Sequence, residues 1–442
     1  MGGKLLEYAN KILQEALKGV GEAAVLVVES KSVMLKLYNS QPSTIQSWRR
    51  VTTNLYLNKN GRIATFSMDA PTLEEALKCV QEAFKRLSVI EVSEYNVPLP
   101  EPDKPEPLRE AFDARVSRLV DDPGPLVEAV FDGLEELERL RSAGMVRAGV
   151  RTKALVTSRG FEGEESGTFI DGYIRAFGSK TSGQWAFTTT TMNEELLREA
   201  FEKACYYASL DLPQANIASG RYNVILSPMV AGNLLNLVAM VSGAMAVDLG
   251  FSFLAKYNIG DVIASEDLSL YDVPRGADLP GATGFDDEGV RTFNKPIIES
   301  GVLRNLLHNS KTAAKRNTKS TANAGWLIPH PWSLDVPAGD LKEEELIREL
   351  KEGLVFTNNW YTRLQNYIEG EFSTVARDAT IYVKNGEPAG LVSGARIADT
   401  LPRLLKNIKG LANKRYPIQW WEVETPIMVP YLVAFDTRVT KT

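Results

Sequence analysis

Hydrophobic and polar positions alternate along the chain with two periods, and each change of period predicts a new element. The first stripe has helical spacing and consists of Leu6, Ala9, Leu13, Ala16, Leu17 and Val20. The runs 23–28 and 33–38 are typical of strands. Alternation on both sides of Asn60-Gly61 predicts a hairpin over 55–66, because this dipeptide accepts positive φ angles. Thr72 and Glu75 then form a capping box before another amphipathic helix.

A cluster of prolines interrupts this first unit and predicts a domain boundary. Proline removes a backbone donor and favours extended chain, so the cluster indicates a stiff connector. Its members are Pro98, Pro100, Pro102, Pro105 and Pro107. We therefore divide the chain into an N-terminal α/β domain (1–97), a Pro-rich connector (98–124), a middle α/β region (125–220) and a C-terminal β-rich domain (221–442).

The remaining pattern predicts a mixed, increasingly β-rich architecture. A helix is expected over 125–142 and another from Asn193 to near Leu210. The expected strands are 145–157, 167–176, 184–191 and 222–226, with short strands over 252–332 and a buried strand at 427–435. A charged helix is expected over 341–353. The fold class is therefore α+β, with an N-terminal α/β domain followed by a larger mixed, β-rich C-terminal domain.

The segment 229–249 is the most apolar of the chain and nearly long enough to cross a bilayer. Polar residues interrupt it and no basic flank orients it, so a helix buried in protein is the expectation, with no membrane partner. The first helix lacks the uninterrupted apolar core of a signal peptide, which favours the cytoplasm. Cys79 and Cys205 are expected to be unpaired thiols in amphipathic helices.

Composition and motifs exclude several function classes. The net charge of −6 and dispersed basic residues give no footprint for nucleic acid. His308 and His330 are the only histidines, which is too few for a zinc site built mainly from imidazole. No G-x-S-x-G elbow and no phosphate-binding glycine loop occurs. The residues alone therefore describe a multidomain α+β protein without a complete catalytic set.

The densest acidic cluster offers one alternative chemistry. Asp286, Asp287 and Glu288 are adjacent, and carboxylates could bind a divalent cation through oxygen. Adjacent residues of an extended segment point in opposite directions, so a shared ligand sphere would need a sharp turn. The competing interpretation is a turn held by side-chain hydrogen bonds.

A series of short motifs in the second half carries a family resemblance. In order, these are Asn223-Val-Ile-Leu-Ser-Pro228, Ser252-Phe253, Gly260-Asp261, Phe285-Asp-Asp-Glu-Gly289, Ile297-Ile-Glu-Ser-Gly301, Lys311-Thr-Ala, Ser320-Thr-Ala-Asn323, Pro337-Ala-Gly-Asp340, Gly353-Leu354 and Gly370-Glu-Phe-Ser373. Their order and spacing resemble the TldD/PmbA family, also called modulators of DNA gyrase. The resemblance covers essentially the whole chain.

The resemblance implies two types of family member, of which only one carries a zinc site. TldD-type members carry H-E-x-x-x-H on the helix after the strand, and a C-terminal cysteine completes their zinc site. Aligning Leu234-Leu235 with the pair before that box places Asn236 at the first histidine, Leu237 at the glutamate and Val241 at the second histidine. The stretch 410–414 contains no cysteine. The chain thus resembles the TldE/PmbA type, so we expect no catalytic residue, no metal and no cofactor in it.

The same resemblance implies the partners. A TldE-like chain is expected to form a heterodimer with a zinc-bearing TldD-like homologue, or a homodimer when isolated, and to act on peptide substrates. Candidate substrate-cavity residues are Asp286, Asp287, Ser320, Thr321 and Asn323. The family commonly has glycine at Ala322, where positive φ would be costly for alanine. Two alternatives stay open: an independent hydrolase with a non-histidine metal site, and a regulatory binding protein.

Overall fold

The structure, a computed structural model, describes residues 3–135 and 140–441 and contains two β-sheets with helices around them. The first sheet has six strands in the order β3-β2-β1-β4-β5-β6, and all its pairings are antiparallel. Its strands are β1 Glu22–Tyr38, β2 Gln41–Lys59, β3 Arg62–Asp69, β4 Arg141–Thr157, β5 Glu162–Phe177 and β6 Ser182–Thr189. Because β1 pairs with β4, the sheet joins strands from both sides of the Pro-rich segment.

Helices cover one face of this sheet. They are α1 Lys4–Ala16, α2 Leu73–Leu87, α3 Ala114–Arg118, α4 Gly124–Glu135 and α5 Glu194–Ala208. Val25 and Val27 of β1 pack with α1 and α2, whereas Val33 and Leu35 of the same strand share a core with α4 and α5. Side chains alternate across a strand, so the neighbours of these valines point to the opposite face. That second face meets the C-terminal half of the chain, where Leu26 shares a core with Phe285.

The second sheet contains eleven strands. They are β7 Gly220–Leu226, β8 Leu270–Asp272, β9 Lys295–Glu299, β10 Val302–Leu303, β11 Leu334–Asp335, β12 Gly353–Asn366, β13 Glu371–Lys384, β14 Glu387–Leu391, β15 Ala395–Thr400, β16 Ile408–Trp420 and β17 Val423–Lys441. The helices of this half are α6 Pro228–Val241, α7 Ala244–Asp248, α8 Ser310–Lys315, α9 Leu346–Leu350 and α10 Leu401–Lys406. Short 3₁₀ turns occupy Arg109–Ala111, Phe253–Lys256 and Glu343–Glu345.

Five strands of this sheet close into a ring. β17 pairs with β15, β15 with β13, β13 with β12, β12 with β7, and β7 again with β17. Helix α6 is almost entirely buried and lies against β17, where a Cβ added to Gly232 would meet the side chain of Ile427 at 3.1 Å. The strand-rich mixture of two sheets and surrounding helices confirms the α+β fold class predicted from the sequence.

Several predicted elements are confirmed in detail. The predicted hairpin is formed by β2 and β3, with Asn60 at φ 52° and Gly61 at φ 83°. Thr72 and Glu75 make the capping box of α2. The three strands predicted between 145 and 191 are β4, β5 and β6. Cys79 and Cys205 lie in α2 and α5 as unpaired thiols.

Three predicted helices differ from the observed elements. The helix predicted over 125–142 is wrong at its end, because Arg141 and Ser142 already belong to β4; its positions 136–139 lie outside the described residues. The apolar segment 229–249 is buried as expected but is two helices, which separate where Gly243 pairs with Leu307. The charged segment 341–353 is a 3₁₀ turn and the short α9, followed by β12.

Among the described residues, none of the helices combines the length and the hydropathy that a bilayer-crossing segment needs. The divisions at 97, 124 and 220 stay predictions.

Candidate functional site

A cavity of about 330 Å³ lies between the C-terminal half and the face of the six-stranded sheet that points away from the helices. Strands β4 and β5 form one wall. The loop 280–283, the loop 330–332 and the turn from β16 into β17 form the others. The lining combines apolar side chains with arginine, lysine, glutamate, aspartate and histidine side chains. Residues from both sheets therefore meet in a single depression.

The β4–β5 wall carries a ladder of opposite charges. Antiparallel register places Arg147 opposite Asp171 and Lys153 opposite Glu165. The guanidinium of Arg147 lies 2.8 Å from the Asp171 carboxylate, and the Lys153 ammonium lies 3.2 Å from Glu165. Between these pairs, Arg151 stands opposite Gly167. Directly opposed side chains in a sheet interact, so the ladder neutralises two of its three cations.

Burial shifts the pKa values of an acid and a base of this wall in opposite directions. It raises the pKa of Asp171, an effect that the neighbouring Arg147 opposes. It lowers the pKa of Arg151, and the positive charge of Arg147 lowers it further. In both cases enclosure in protein disfavours the charged form.

Lys153 joins the two halves of the cavity. Its ammonium donates to the hydroxyl of Thr283 and, at 2.6 Å, to the carbonyl oxygen of Phe285. The same nitrogen lies 4.2 Å from the centre of the Phe285 ring, a cation–π contact. Lys153 reaches from the first sheet into the C-terminal half and positions the loop 280–283 at the cavity.

The loop 320–332 is held by a buried carboxylate, Asp272. This carboxylate accepts hydrogen bonds from Lys295 at 2.8 Å, from the side-chain amide of Asn323 at 2.7 Å and from the backbone N–H of Trp332 at 2.8 Å. Asn323 also donates to the carbonyl oxygen of His330 at 2.9 Å. The predicted cavity residue Asn323 is thus fully buried and positions His330 and Trp332, which do line the cavity.

Asp286 organises a turn rather than facing the cavity. Its carboxylate is fully buried and accepts from the backbone N–H groups of Glu288, Val290 and Ala324 at 3.0, 2.9 and 3.1 Å. Burial and the nearby Glu288 raise its pKa. The sharp turn is therefore present and is held by side-chain hydrogen bonds, as one of the two interpretations of the sequence proposed.

Asp287 and Glu288 point to different surroundings. Burial raises the pKa of Asp287, against the opposing effect of Lys153 and His330 at the cavity. Glu288 instead accepts from the Lys311 ammonium at 2.6 Å, and both side chains are completely buried. Within residues 3–135 and 140–441, no group of three or more His, Cys, Asp or Glu side chains is arranged to hold a metal ion.

Ser320 and Thr321 bind the backbone of His308 from the other end of the loop. The hydroxyl of Thr321 accepts from the His308 N–H at 2.6 Å, and Ser320 donates to the His308 carbonyl at 3.3 Å. Ala322 follows with φ 55°, so alanine keeps the left-handed backbone at the position where the family commonly has glycine. None of the five predicted cavity residues is in the lining of this cavity, and Asn323 contacts its wall through the carbonyl oxygen of His330.

The three positions at the resembled zinc box lie on α6. The side-chain amide of Asn236 donates to the Thr425 carbonyl at 3.0 Å and accepts from the Thr425 N–H at 2.8 Å. Leu237 packs against the main core, and Val241 is buried. This donor set does not fit zinc, which takes thiolate, imidazole or carboxylate ligands. Asn236 instead anchors Thr425, a residue of the cavity wall.

Sequence reasoning missed the charged residues of the β4–β5 wall. The available signal was the placement of Arg147, Arg151 and Lys153 at odd positions of one predicted strand, which was used only to predict a strand. The cavity also continues past this wall. A second depression of about 610 Å³ shares Arg147, Asp171 and Gln419 with the first, and a third of about 330 Å³ shares Met145, Tyr173 and Trp421 with the second.

Comparison with protein families identifies the chain. Residues 219–441, half of the chain, match the PmbA/TldA metallopeptidase C-terminal domain, and residues 23–87 match PmbA/TldA metallopeptidase domain 1. The chain therefore belongs to the PmbA/TldD family, as its motifs predicted.

Relatives of known sequence and solved structures agree with this membership. Metalloprotease PmbA of Escherichia coli O157:H7 is 33% identical over 192 residues, which are 43% of this chain and 40% of that protein. A metalloprotease of Methanothermobacter thermautotrophicus is 26% identical over 50% of this chain and 48% of its own length. The alignments thus span about half the length of these relatives or less.

The fold is shared over nearly the entire chain. TldE from Thermococcus kodakarensis superposes with a TM-score of 0.83 at 20% identity, covering 98% of this chain and 100% of that one. A protein of Thermotoga maritima described as a modulator of a DNA gyrase gives a TM-score of 0.82 at 24% identity, covering 98% and 99%. At these identities the likeness concerns the fold.

Proposed function

We propose that this chain is a non-catalytic, TldE/PmbA-like subunit of a TldD/TldE-type zinc metallopeptidase complex that processes peptides. In this proposal the chain forms a heterodimer with a TldD-like homologue in the cytoplasm. The partner supplies the zinc, and this chain shapes the cavity that receives the peptide. No catalytic residue and no metal ligand is assigned to this chain.

The observation that carries the proposal is the chemistry of α6. Zinc-bearing members would need imidazole nitrogens and a carboxylate base on this helix. Here Asn236 uses both ends of its amide to bind Thr425, and the other two positions are aliphatic. An aliphatic side chain offers neither a lone pair for a metal nor a site for a proton. The helix therefore supports the cavity wall and has no group with which to activate water.

The polar cavity supplies the second support. It is open, lined by residues of both sheets, and continuous with two further depressions along β4. Because β4 is already paired with β1 and β5, an extended peptide on this face would be held by the side chains of the wall and not by strand addition. An independent hydrolase with carboxylate ligands has less support, because Asp286 and Glu288 are already saturated by N–H groups and Lys311. The role of a regulatory binding protein has no contact that favours it.

Reconstitution tests the proposal. The purified chain, a purified TldD-like partner and their mixture are incubated with an unfolded peptide, and the products are quantified by mass spectrometry. We expect cleavage by the mixture and none by this chain alone. Cleavage by this chain after complete removal of the partner would refute the assignment.

Matched substitutions locate the catalytic group. Leu237→Met keeps the volume of the side chain at the glutamate position, so the activity of the pair should stay within about twofold of wild type. Replacing the glutamate of the partner's H-E-x-x-x-H box by glutamine should lower activity by about a hundredfold or more. Equal sensitivity of the pair to both changes would contradict a non-catalytic role for α6.

A further inference from the structure

One rung of the charge ladder on the β4–β5 wall lacks its acid. Arg147 and Lys153 each face a carboxylate across the strand pair, whereas the residue opposite Arg151 is Gly167. On its other side Arg151 stands opposite Ser30 of β1. Both neighbours are small, so the guanidinium has free space on either side within the cavity that it lines.

Arg151 lines the open cavity as an exposed residue, and it forms no hydrogen bond or ion pair with any residue of the described ranges 3–135 and 140–441. The surrounding protein and the positive charge of Arg147 lower its pKa, and no carboxylate of the described residues compensates its charge. A guanidinium without a protein partner gains most from a planar anion that can accept two parallel hydrogen bonds. A carboxylate has that shape, and the ladder already pairs its other two cations, Arg147 and Lys153, with carboxylates.

The groove beyond Arg151 has the dimensions of an extended chain. The three connected depressions follow β4 from Lys153 to Ala143. At about 3.3 Å per residue this stretch measures roughly 33 Å, the length of about ten extended residues. Its far part is lined by Tyr173 and Trp421, which offer apolar faces to side chains. A strand-like peptide thus fits with an acidic group at one end and apolar groups along its length.

We propose that Arg151 is the anchor for a carboxylate of an extended peptide, so that this chain selects peptides carrying an acidic group at one defined position. The inference rests on the proposed function as a peptide-binding subunit and adds the substrate class. The carboxylate belongs either to the C-terminus of the peptide or to an Asp or Glu side chain. Both present the same fork of oxygens to the guanidinium.

Direct binding separates the two sources. Four fluorescein-labelled eight-residue peptides of serine, threonine and valine are titrated against the full chain: with one Glu or the matching Gln, each as free acid and as C-terminal amide. We expect wild type to bind a carboxylate peptide at least tenfold more tightly than its neutral counterpart. A preference in the Glu/Gln comparison identifies a side chain, and a preference in the acid/amide comparison identifies the C-terminus. Equal affinity for all four peptides would overturn the inference.

Variants test the residue and the missing rung. Arg151→Gln should remove the preference for the carboxylate peptide. Gly167→Glu supplies the absent acid, and a Cβ at this position meets only the Ala111 carbonyl at 3.5 Å, so the sheet tolerates it. It too should abolish the preference, whereas Gly167→Ala should keep it. Arg198→Gln on α5 removes the same charge from an exposed site and should also keep it. Retained preference in both Arg151→Gln and Gly167→Glu would refute the anchor.

Glu424 is the other charged side chain of the cavity without an ion pair among the described residues, and it provides an internal check. Glu424→Gln removes a negative charge and should leave or increase affinity for the carboxylate peptide. A loss of at least tenfold in this variant would mean that the peptide is held through a cationic group, against the inference.

The inference and the proposed function fail in different ways. If the reconstituted pair cleaves the neutral amide peptide but Arg151→Gln leaves the carboxylate preference intact, the anchor is wrong and the subunit role holds. If the pair cleaves no peptide while this chain still binds carboxylate peptides through Arg151, the anchor holds and the peptidase role is wrong.

Discussion

Ala322 occupies a backbone conformation that alanine adopts at a cost. Its φ of 55° lies in the left-handed region, where the Cβ approaches the following carbonyl group. The residue is fully buried and sits between Thr321 and Asn323, whose side chains hold the two ends of the loop. Hydrogen bonds on both sides therefore keep the strained residue in place and give the loop one shape.

Glycine should be tolerated better at this position than at an unstrained buried alanine. Relief of the strain offsets the extra freedom of the unfolded chain and the loss of the buried methyl group, so Ala322→Gly should change the free energy of unfolding by less than about 0.5 kcal/mol. Ala324→Gly is the matched control: Ala324 is equally buried but is not left-handed, so the substitution should cost about 1–2 kcal/mol. Urea denaturation followed by circular dichroism measures both. Equal losses of unfolding free energy in the two variants would contradict the prediction that Ala322 is strained.

His308 makes stability depend on pH. Burial, assisted by Arg316 and opposed by Asp248, lowers its pKa from 6.5 to about 4. The folded state therefore keeps the ring neutral while the unfolded chain takes up a proton below pH 6.5. The contribution is fully present above that pH and is lost as pH falls toward 4, on the order of 3 kcal/mol in total.

His308→Gln removes this titration. The free energy of unfolding of the variant should fall less steeply than that of wild type between pH 6.5 and 4, because glutamine takes up no proton. Urea denaturation at several pH values in this range gives the two slopes. Parallel slopes would show that His308 does not carry the dependence.

At the scale of elements, α6 and β17 are held together by side-chain amides. Asn236 pairs with both backbone groups of Thr425, in the manner of a neighbouring strand. Asn233 donates to the carbonyl of Glu422 and accepts from Asn359 and Thr362. The helix thereby fixes the point where β17 leaves the hairpin turn and enters the cavity wall.

Loss of this pairing should be measurable. Asn236→Ala leaves the Thr425 N–H and carbonyl without partners, and we expect a loss of about 1–3 kcal/mol. Met240→Ala on the same helix changes a half-exposed side chain and should stay within about 0.5 kcal/mol. Thermal unfolding of both variants provides the comparison. An equal effect of the two substitutions would mean that the amide pairing is not what holds the turn.

The elements that sequence predicted best are those with local signals. Asn60-Gly61, the Thr72 capping box and the alternation in β4 and β5 depend on neighbours within a few residues. The break between α6 and α7 falls at Ser242 and Gly243, which interrupt the apolar segment locally, but the pairing of Gly243 with Leu307 is far away in sequence and could not be predicted. Likewise, the register of β4 and β5 decides that Arg151 meets Gly167, and alternation alone does not reveal register.

Long-range assembly also explains why the predicted site residues differ from the residues that line the cavity. Asp286, Thr321 and Asn323 were chosen from motifs, and the structure places them outside the lining of the cavity. Residues that line it, such as Arg147 and Trp332, come from segments distant in sequence and meet only when the two sheets are assembled. The motifs thus lie beside the cavity, the residues of its lining come from other segments, and the role of the five predicted residues in substrate binding stays a prediction.

At the scale of the whole molecule, Lys153 is a link between the two sheets. It contacts Glu165 in its own sheet and Thr283 and Phe285 in the other half, and little of either charged side chain is exposed. A buried ion pair offsets its desolvation cost only while both charges are present, because a single remaining charge is buried without a partner. The link thus depends on keeping the ladder intact.

Breaking the pair on one side should be worse than replacing both members. Lys153→Met leaves Glu165 without its cation, and we expect a loss of about 3–5 kcal/mol. Lys153→Met combined with Glu165→Gln removes the stranded charge and should recover part of that loss. Chemical denaturation of the single and double variants decides the matter. A double variant less stable than the single one would contradict the account.

The hairpin turn between β16 and β17 carries Trp421, whose side chain is 58% exposed and borders the groove. Indole emission shifts to shorter wavelength when water leaves its surroundings. A bound peptide that covers this ring should therefore shift the intrinsic tryptophan emission of the unlabelled protein to shorter wavelength. Trp421→Phe removes this indole and leaves the other six of the seven tryptophans. The difference between the emission spectra of the two proteins therefore reports whether a peptide occupies the groove beside Trp421.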